Sequence, residues 1–201
     1  MSEPGDIDLA AAALAKWRIS AATQEAFFQR EAPAIAVCAR ALGAALDAGG
    51  RLFALGNGGS ACDAQHLAVE FMHPVVSKRT AFPAHALPGD AALLTAVAND
   101  EDFALGFAKQ LRLLARPGDA VVALSTSGRS ANVIRALTAA RELGLLTVGL
   151  SGGDGGRLSD VCDHLFVVPS FSIHRIQEAH VLLLHLLWDL IHLARGEEDV
   201  L

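Results

Sequence analysis

Residues 51–73, RLFALGNGGSACDAQHLAVEFMH, place a strand, a glycine-rich turn and the start of a helix in direct succession. The apolar run from Leu52 to Leu55 is typical of a buried β-strand. Residues 56–59, GNGG, tolerate positive φ and close backbone approach, and Ser60 is a predicted N-cap for a helix from about Ala61. Such a junction directs backbone N–H groups and the positive end of a helix dipole at one point. It therefore suits a phosphate or another anionic group.

The rest of the chain repeats this order of strand and helix. Apolar runs that do not alternate with polar residues predict further strands, and the intervening segments predict helices; the runs are residues 84–87, 120–124, 145–150 and 163–168. Apolar strands separated by helices are typical of a parallel sheet covered on both faces. We therefore expect an α/β fold, a three-layer αβα sandwich with five parallel strands.

The two ends of the chain are predicted to be helical. Residues 7–48 indicate a helical hairpin, with one helix from about Ile7 to Arg30, capped by Asp6, a break near Pro33, and a second helix from about Ala34 to Asp47. A long helix from about Ser172 to Ala194 closes an α/β core over residues 50–194. A chain of 201 residues fits one such domain.

Composition excludes several classes of protein. A net charge of −6 gives no electrostatic reason to expect binding to nucleic acid. Although 52% of the residues are hydrophobic, no window holds the roughly 18 uninterrupted apolar residues of a membrane span. The N-terminus is acidic where a secretory signal would be basic, so we expect a cytoplasmic protein.

Three loops that follow predicted strands are the most polar, glycine-rich and hydroxyl-rich in the chain: residues 56–60, 125–130 (STSGRS) and 151–156. Right-handed crossovers bring such loops to one edge of a parallel sheet. Neither the Walker A ending nor the full dinucleotide fingerprint is present, so no nucleotide cofactor is expected. Turn and capping chemistry explains either of the first two loops alone, but two together favour a phosphate-ester site.

His66 and Glu70 share one helix face because they are four residues apart. They fit a metal pair, an acid–base pair or a solvated face. The closing helix is also ambiguous, because its His185 falls on a polar stripe that an amphipathic helix would show anyway. Gln177 lies about 12 Å from His185 along that helix. Both reach one ion only if they lean toward each other or come from different subunits.

Several motifs, in this order along the chain, resemble the sugar isomerase (SIS) domain family and, within it, the phosphoheptose isomerases. They are GNGGSACDAQHLAVEF, AND at residues 98–100, STSGRSANVI, LSGGDGG and RIQEAHVLLLH. The resemblance spans about residues 15–193. It implies a five-stranded parallel sheet, a homotetramer with active sites between subunits, and conversion of sedoheptulose 7-phosphate to D-glycero-D-manno-heptose 7-phosphate through an enediol.

The resemblance also implies a role for individual residues. Phosphate binding falls to Ser60, Ser125, Thr126, Ser127 and Ser130. The sugar would be lined by Asn57, Gly58, Gly59, Asn99 and Asp100, with Glu70 and Gln177. Glu70 would be the general base and His185 its acid partner. The resemblance further implies one Zn²⁺ per subunit, bound by His66, Glu70, Gln177 and His185.

Two positions depart from the family pattern. Pro74 stands where an arginine often follows the helix glutamate, and His174 replaces an aspartate before RIQE. Either change bears on which sugar phosphate fits. A non-enzymatic SIS protein that binds a replication initiator is the alternative from another class, and a sensor or isomerase of another sugar phosphate is a third. Relatives of the non-enzymatic type tend to lose the catalytic glutamate and histidine, so Glu70 and His185 favour an enzyme.

Overall fold

A parallel five-stranded sheet forms the centre of the protein in a computed structural model that describes residues 7–75 and 78–199. The strand order is β2-β1-β3-β4-β5 and every pairing is parallel. The strands are β1 (Leu52–Gly56), β2 (Ala84–Ala86), β3 (Ala120–Ser125), β4 (Leu146–Gly152) and β5 (His164–Val168). The predicted α/β class and strand number are confirmed.

Helices cover both faces of this sheet. They are α1 (Leu9–Asp47), α2 (Gly59–Met72), α3 (Ala91–Asp100), α4 (Gly106–Leu114), α5 (Ala131–Glu142) and α6 (Ile173–Ala194), with short 3₁₀ turns at Leu87–Gly89, Phe103–Leu105 and Leu158–Asp160. Side chains alternate along β1, so that Leu52 and Ala54 join a core with α1, α2 and α6. Phe53 and Leu55 join a second core with α4 and α5. These two cores make the predicted three layers.

The predicted helical hairpin at the N-terminus is wrong, because α1 is one helix of 39 residues with Pro33 inside it. Proline removes one N–H and crowds the carbonyl four residues earlier, on Gln29. Pro33 is exposed, so that carbonyl can bond to water instead. Asp8 is the N-cap and accepts from the N–H groups of Ala10 and Ala11, both at 3.0 Å. The expected cap, Asp6, lies outside the described residues.

Other boundaries agree with the sequence within about two residues. α2 ends at Met72, with His73 as its C-cap before Pro74, as the restriction on residues before proline predicts. β3 and β4 run slightly further than expected and pair through Ser125 and Ser151. Among the described helices, none has both the length and the apolar character required to cross a membrane.

The loops after β3 and β4 interlock through their backbones. The Thr126 carbonyl accepts from the Gly152 N–H at 3.1 Å, and the Gly128 carbonyl accepts from the Arg157 N–H at 2.9 Å. Gly128 has φ 63°, and a Cβ there would lie 2.0 Å from the Gly155 carbonyl oxygen. Backbone atoms cannot swing aside as a side chain does. The close approach of the two loops therefore requires glycine at position 128.

Gly128→Ala is expected to lower the free energy of unfolding by about 3 kcal/mol or more, as the sum of left-handed strain and overpacking. Gly118→Ala is the matched control, since Gly118 has φ 92° and no atom within 4 Å of a new Cβ. It should cost only about 1 kcal/mol. Urea unfolding measures both, and equal losses would contradict the crowding argument.

Candidate active site

The turn between β1 and α2 lies at the edge of the sheet where the strands end. Gly58, with φ 56°, is the N-cap, and α2 begins at Gly59. The prediction that Ser60 caps this helix is therefore wrong: Ser60 lies in the first turn and is 3% exposed. Glycine takes the cap position because the chain needs a positive φ there. The first N–H groups of α2 remain available to an anion.

The loop between β3 and α5 presents its hydroxyl groups at the same edge. The Ser125 and Ser130 Oγ atoms are 3.0 Å apart. Although Ser130 is the N-cap of α5, its side chain makes no capping bond and faces Ser125 instead. Thr126 and Ser127 line a depression of about 180 Å³ together with the loop after β4. Two of the four predicted phosphate-binding hydroxyls of this loop, Thr126 and Ser127, therefore lie beside a space open to a ligand.

A reciprocal amide pair joins the two turns. Asn57 Nδ2 donates to Asn132 Oδ1 at 2.9 Å, and Asn132 Nδ2 donates to Asn57 Oδ1 at 2.8 Å. Asn132 is 3% exposed. Asn132 was not among the residues predicted for the site. The sequence marks it only by its position two residues after the STSGRS loop. The pair fixes the spacing between the two predicted anion-binding turns.

His66, Glu70 and His185 meet where α2 packs against α6. His66 Nε2 lies 3.2 Å from Glu70 Oε1 and 3.2 Å from His185 Nε2. One ligand atom from each of the three falls within 4.8 Å of the others. His66 and Glu70 are half-buried and His185 is exposed. A solvated helix face would not need His185 from a second helix, so the arrangement favours a shared chemical task.

The donor set of this cluster fits a divalent cation. His66 Nε2 faces both a carboxylate oxygen and a second ring nitrogen, and one proton on Nε2 satisfies only one of them. Two imidazole nitrogens and a carboxylate oxygen are ligands that Zn²⁺ accepts. The fourth predicted ligand, Gln177, lies elsewhere on α6: its amide nitrogen would be 2.3 Å from a Cβ on Gly59. Gln177 therefore covers the start of α2.

Asp63 shares the face of α2 that carries His66 and Glu70, and sequence reasoning missed it. Its Oδ2 atom is buried and has no hydrogen-bond partner among the described residues. Burial raises the pKa of Asp63 above its ordinary value, while the charge on His66 acts in the opposite direction. The sequence does contain an indication of it: Asp63, His66 and Glu70 are three and four residues apart, and this spacing places them on one helix face.

Asn99 and Asp100 are not brought to this cluster. They are exposed at the end of α3, where Asn99 Nδ2 donates to Asp100 Oδ1 at 2.8 Å. Within the described ranges, neither hydrogen-bonds to any other predicted site residue, and neither belongs to the cluster of His66, Glu70 and His185. Of the two departures from the family pattern, His174 is exposed beside Gln177 in an open depression. Pro74 follows the C-cap of α2.

Comparison with known proteins agrees with this geometry. The SIS domain family model matches residues 18–152. The phosphoheptose isomerase of Desulfovibrio desulfuricans is 46% identical over 173 residues, which are 86% of this chain and 82% of that protein. That of Rhodospirillum rubrum is 48% identical over 160 residues, 80% of this chain and 85% of the relative. The solved phosphoheptose isomerase of Neisseria gonorrhoeae has a TM-score of 0.85 and 38% identity, covering 91% of this chain and 98% of its own.

Gly59→Ala should displace the Gln177 amide and leave the fold intact, because the new Cβ meets the end of a flexible side chain. We expect the side-chain NH₂ resonances of Gln177 to shift, and the free energy of unfolding to change by no more than about 1 kcal/mol. Gly89→Ala is the matched control, since its Cβ would lie 3.9 Å from the Gln65 amide nitrogen. Unshifted Gln177 resonances in Gly59→Ala would refute the contact.

Proposed function

This chain belongs to the SIS domain family and, within it, to the phosphoheptose isomerases, and we propose that Glu70 and His185 catalyse its aldose–ketose isomerisation as an acid–base pair. The substrate we propose is sedoheptulose 7-phosphate, converted to D-glycero-D-manno-heptose 7-phosphate through an enediol. The observation that carries the proposal is the meeting of Glu70, His66 and His185 within 4.8 Å, on the helix that begins at the turn after β1 and on α6.

Two turns would bind the phosphate. The loop after β3 would supply hydroxyl groups from Ser125, Thr126, Ser127 and Ser130, and the first turn of α2 would supply Ser60. Arg129 lines the same depression as Thr126 and Ser127. Helix N-termini and oriented N–H groups suit a dianion. Asn57, Gly58 and Gly59 would line the adjacent sugar, and the Asn57–Asn132 pair keeps the turns at a fixed distance. The reacting carbons would then extend toward α6.

The acid–base step needs a base for the proton on C1 and an acid for the return of a proton at C2. Glu70 is half-buried, with its Oε1 held 3.2 Å from His66 Nε2, so its carboxylate is oriented before substrate arrives. His185 lies on the opposite helix and supplies the acid. Because the two groups come from different helices, they would reach neighbouring carbons of one substrate from different directions. The non-enzymatic alternative predicts loss of this pair, and both members are present.

His66, Glu70 and His185 would hold one Zn²⁺, with Gln177 as a further ligand or as a substrate contact. A bound Zn²⁺ would orient hydroxyl groups and polarise the substrate carbonyl. The arrangement of nitrogen and oxygen donors around His66 Nε2 supports this proposal. Residues 1–201 would form a single SIS domain, and we propose a cytoplasmic location.

A homotetramer is also part of the proposal. The N-terminal half of α1 exposes large apolar side chains, among them Leu9 at 76% and Trp17 at 64%. Such residues on one helix indicate contact with another surface. Asn99 and Asp100, which lie apart from the cluster in this chain, would reach a substrate in a neighbouring subunit.

Glu70→Gln should slow the reaction by about 10²- to 10⁴-fold, because an amide cannot take the C1 proton. Proton NMR in D₂O with sedoheptulose 7-phosphate follows both the aldose product and the loss of the C1 proton. Glu25→Gln is the control, since Glu25 is exposed on α1 and remote from the cluster. A Glu70→Gln protein that exchanges the C1 proton at the wild-type rate would exclude Glu70 as the base.

His185→Ala should weaken Zn²⁺ binding more than the roughly 10- to 100-fold typical of losing an outer partner, because it removes a ligand. Titration of chelator-treated protein with Zn²⁺ by calorimetry measures the affinity. His164→Ala is the control, as His164 begins β5 at the other edge of the sheet. Equal affinities for the two variants would remove His185 from the ligand set.

A further inference from the structure

Within the described residues, the Nδ1 atom of His66 makes no hydrogen bond, while its Nε2 atom faces two groups. These are the Glu70 carboxylate and the His185 ring, each 3.2 Å away. If Nε2 offers its lone pair to a metal ion in this cluster, the neutral ring carries its proton on Nδ1. A carboxylate acceptor would then fix the orientation of the ring more firmly than water does.

Asp63 is an acceptor without a donor. Its Oδ2 atom is buried and unpartnered. It precedes His66 by three residues on α2, and side chains three apart on a helix are neighbours. Helical side chains also lean toward the N-terminus, so the His66 ring lies over the turn that carries Asp63. The two groups already interact electrostatically.

We infer that Asp63 is a positioning residue whose carboxylate accepts the Nδ1–H of His66 and thereby leaves the His66 Nε2 lone pair free for a metal ion shared with Glu70 and His185. The structure places the two residues three apart on α2, with no hydrogen bond between Asp63 Oδ2 and the ring. Histidines that bind metals usually donate their other ring N–H to a carboxylate or carbonyl, which fixes the tautomer. Asp63 does not touch the substrate in this assignment.

The inference rests on the proposed function, because it gives His66 the task of a ligand. Glu70 cannot replace Asp63 in this role, since its Oε1 already faces Nε2 of the same ring. Of the charged residues on α2, Asp63 and Glu70 are the two carboxylates. Asp63 alone therefore lies on the N-terminal side of His66, where the Nδ1–H needs its acceptor.

The test compares Asp63→Ala and Asp63→Asn with wild type in two measurements that need no substrate. In Zn²⁺-loaded protein labelled with ¹⁵N-histidine, NMR observes the Nδ1–H of His66 directly. We expect this proton to exchange slowly with water in wild type and rapidly in Asp63→Ala, because the alanine variant has lost the carboxylate that accepts its hydrogen bond. Calorimetry should show Zn²⁺ binding weakened by about 10- to 100-fold in Asp63→Ala. Asp63→Asn keeps one acceptor oxygen and should lie between the two.

Cys62→Ala is the control for general disturbance of α2, because Cys62 is an exposed neighbour on the same turn. It should leave the exchange of the His66 Nδ1–H and the Zn²⁺ affinity unchanged. Unchanged exchange together with unchanged affinity in a folded Asp63→Ala protein would overturn the inference. If that variant does not fold, Asp63→Asn decides, and wild-type behaviour in both measurements overturns the inference. Failure of the isomerase assay alone would count against the proposed function and not against Asp63.

Discussion

The structure depends on the burial of β1 and β3 on both faces. Every residue from Leu52 to Gly56 and from Ala120 to Ser125 is buried, so helices must cover the sheet above and below. Parallel neighbours need crossovers, and right-handed crossovers return each chain segment to the same end of the sheet. The ends of β1, β3 and β4 therefore open into loops at one edge. The topology therefore gathers the glycine-rich and hydroxyl-rich turns of the chain at one place.

The chemistry comes from a second contact, between α2 and α6. α2 begins at the anion-binding turn and carries Asp63, His66 and Glu70 away from it along one face. α6 is the last helix and packs alongside with His185. One helix thus links the glycine turn after β1 to two members of the His66–Glu70–His185 cluster, and the third member comes from a helix more than a hundred residues later.

The sequence predicted the strands well because their apolar runs have no competing explanation. It predicted His66, Glu70 and His185 through a resemblance, since spacing alone could not bring α2 and α6 together. Three features could not be predicted from the sequence. Pro33 by itself predicts a break in the helix, and only the packing of α1 against the rest of the folded chain overrides that preference. Ser60 resembles a cap, but the positive φ at Gly58 decides where α2 begins. The Asn57–Asn132 pair spans 75 residues, and no local pattern encodes such a contact.

The two edge strands of the sheet, β2 and β5, limit how copies of this chain can associate. β2 has three residues and follows Pro83, which has no N–H to donate to another strand. At the opposite edge, Arg30 on α1 donates to the Val167 carbonyl of β5 at 2.5 Å. Neither edge offers a long run of free backbone N–H and C=O groups, so a strand from another molecule could form few hydrogen bonds there. Joining two sheets into one continuous sheet is therefore disfavoured, and association is left to the helical surfaces.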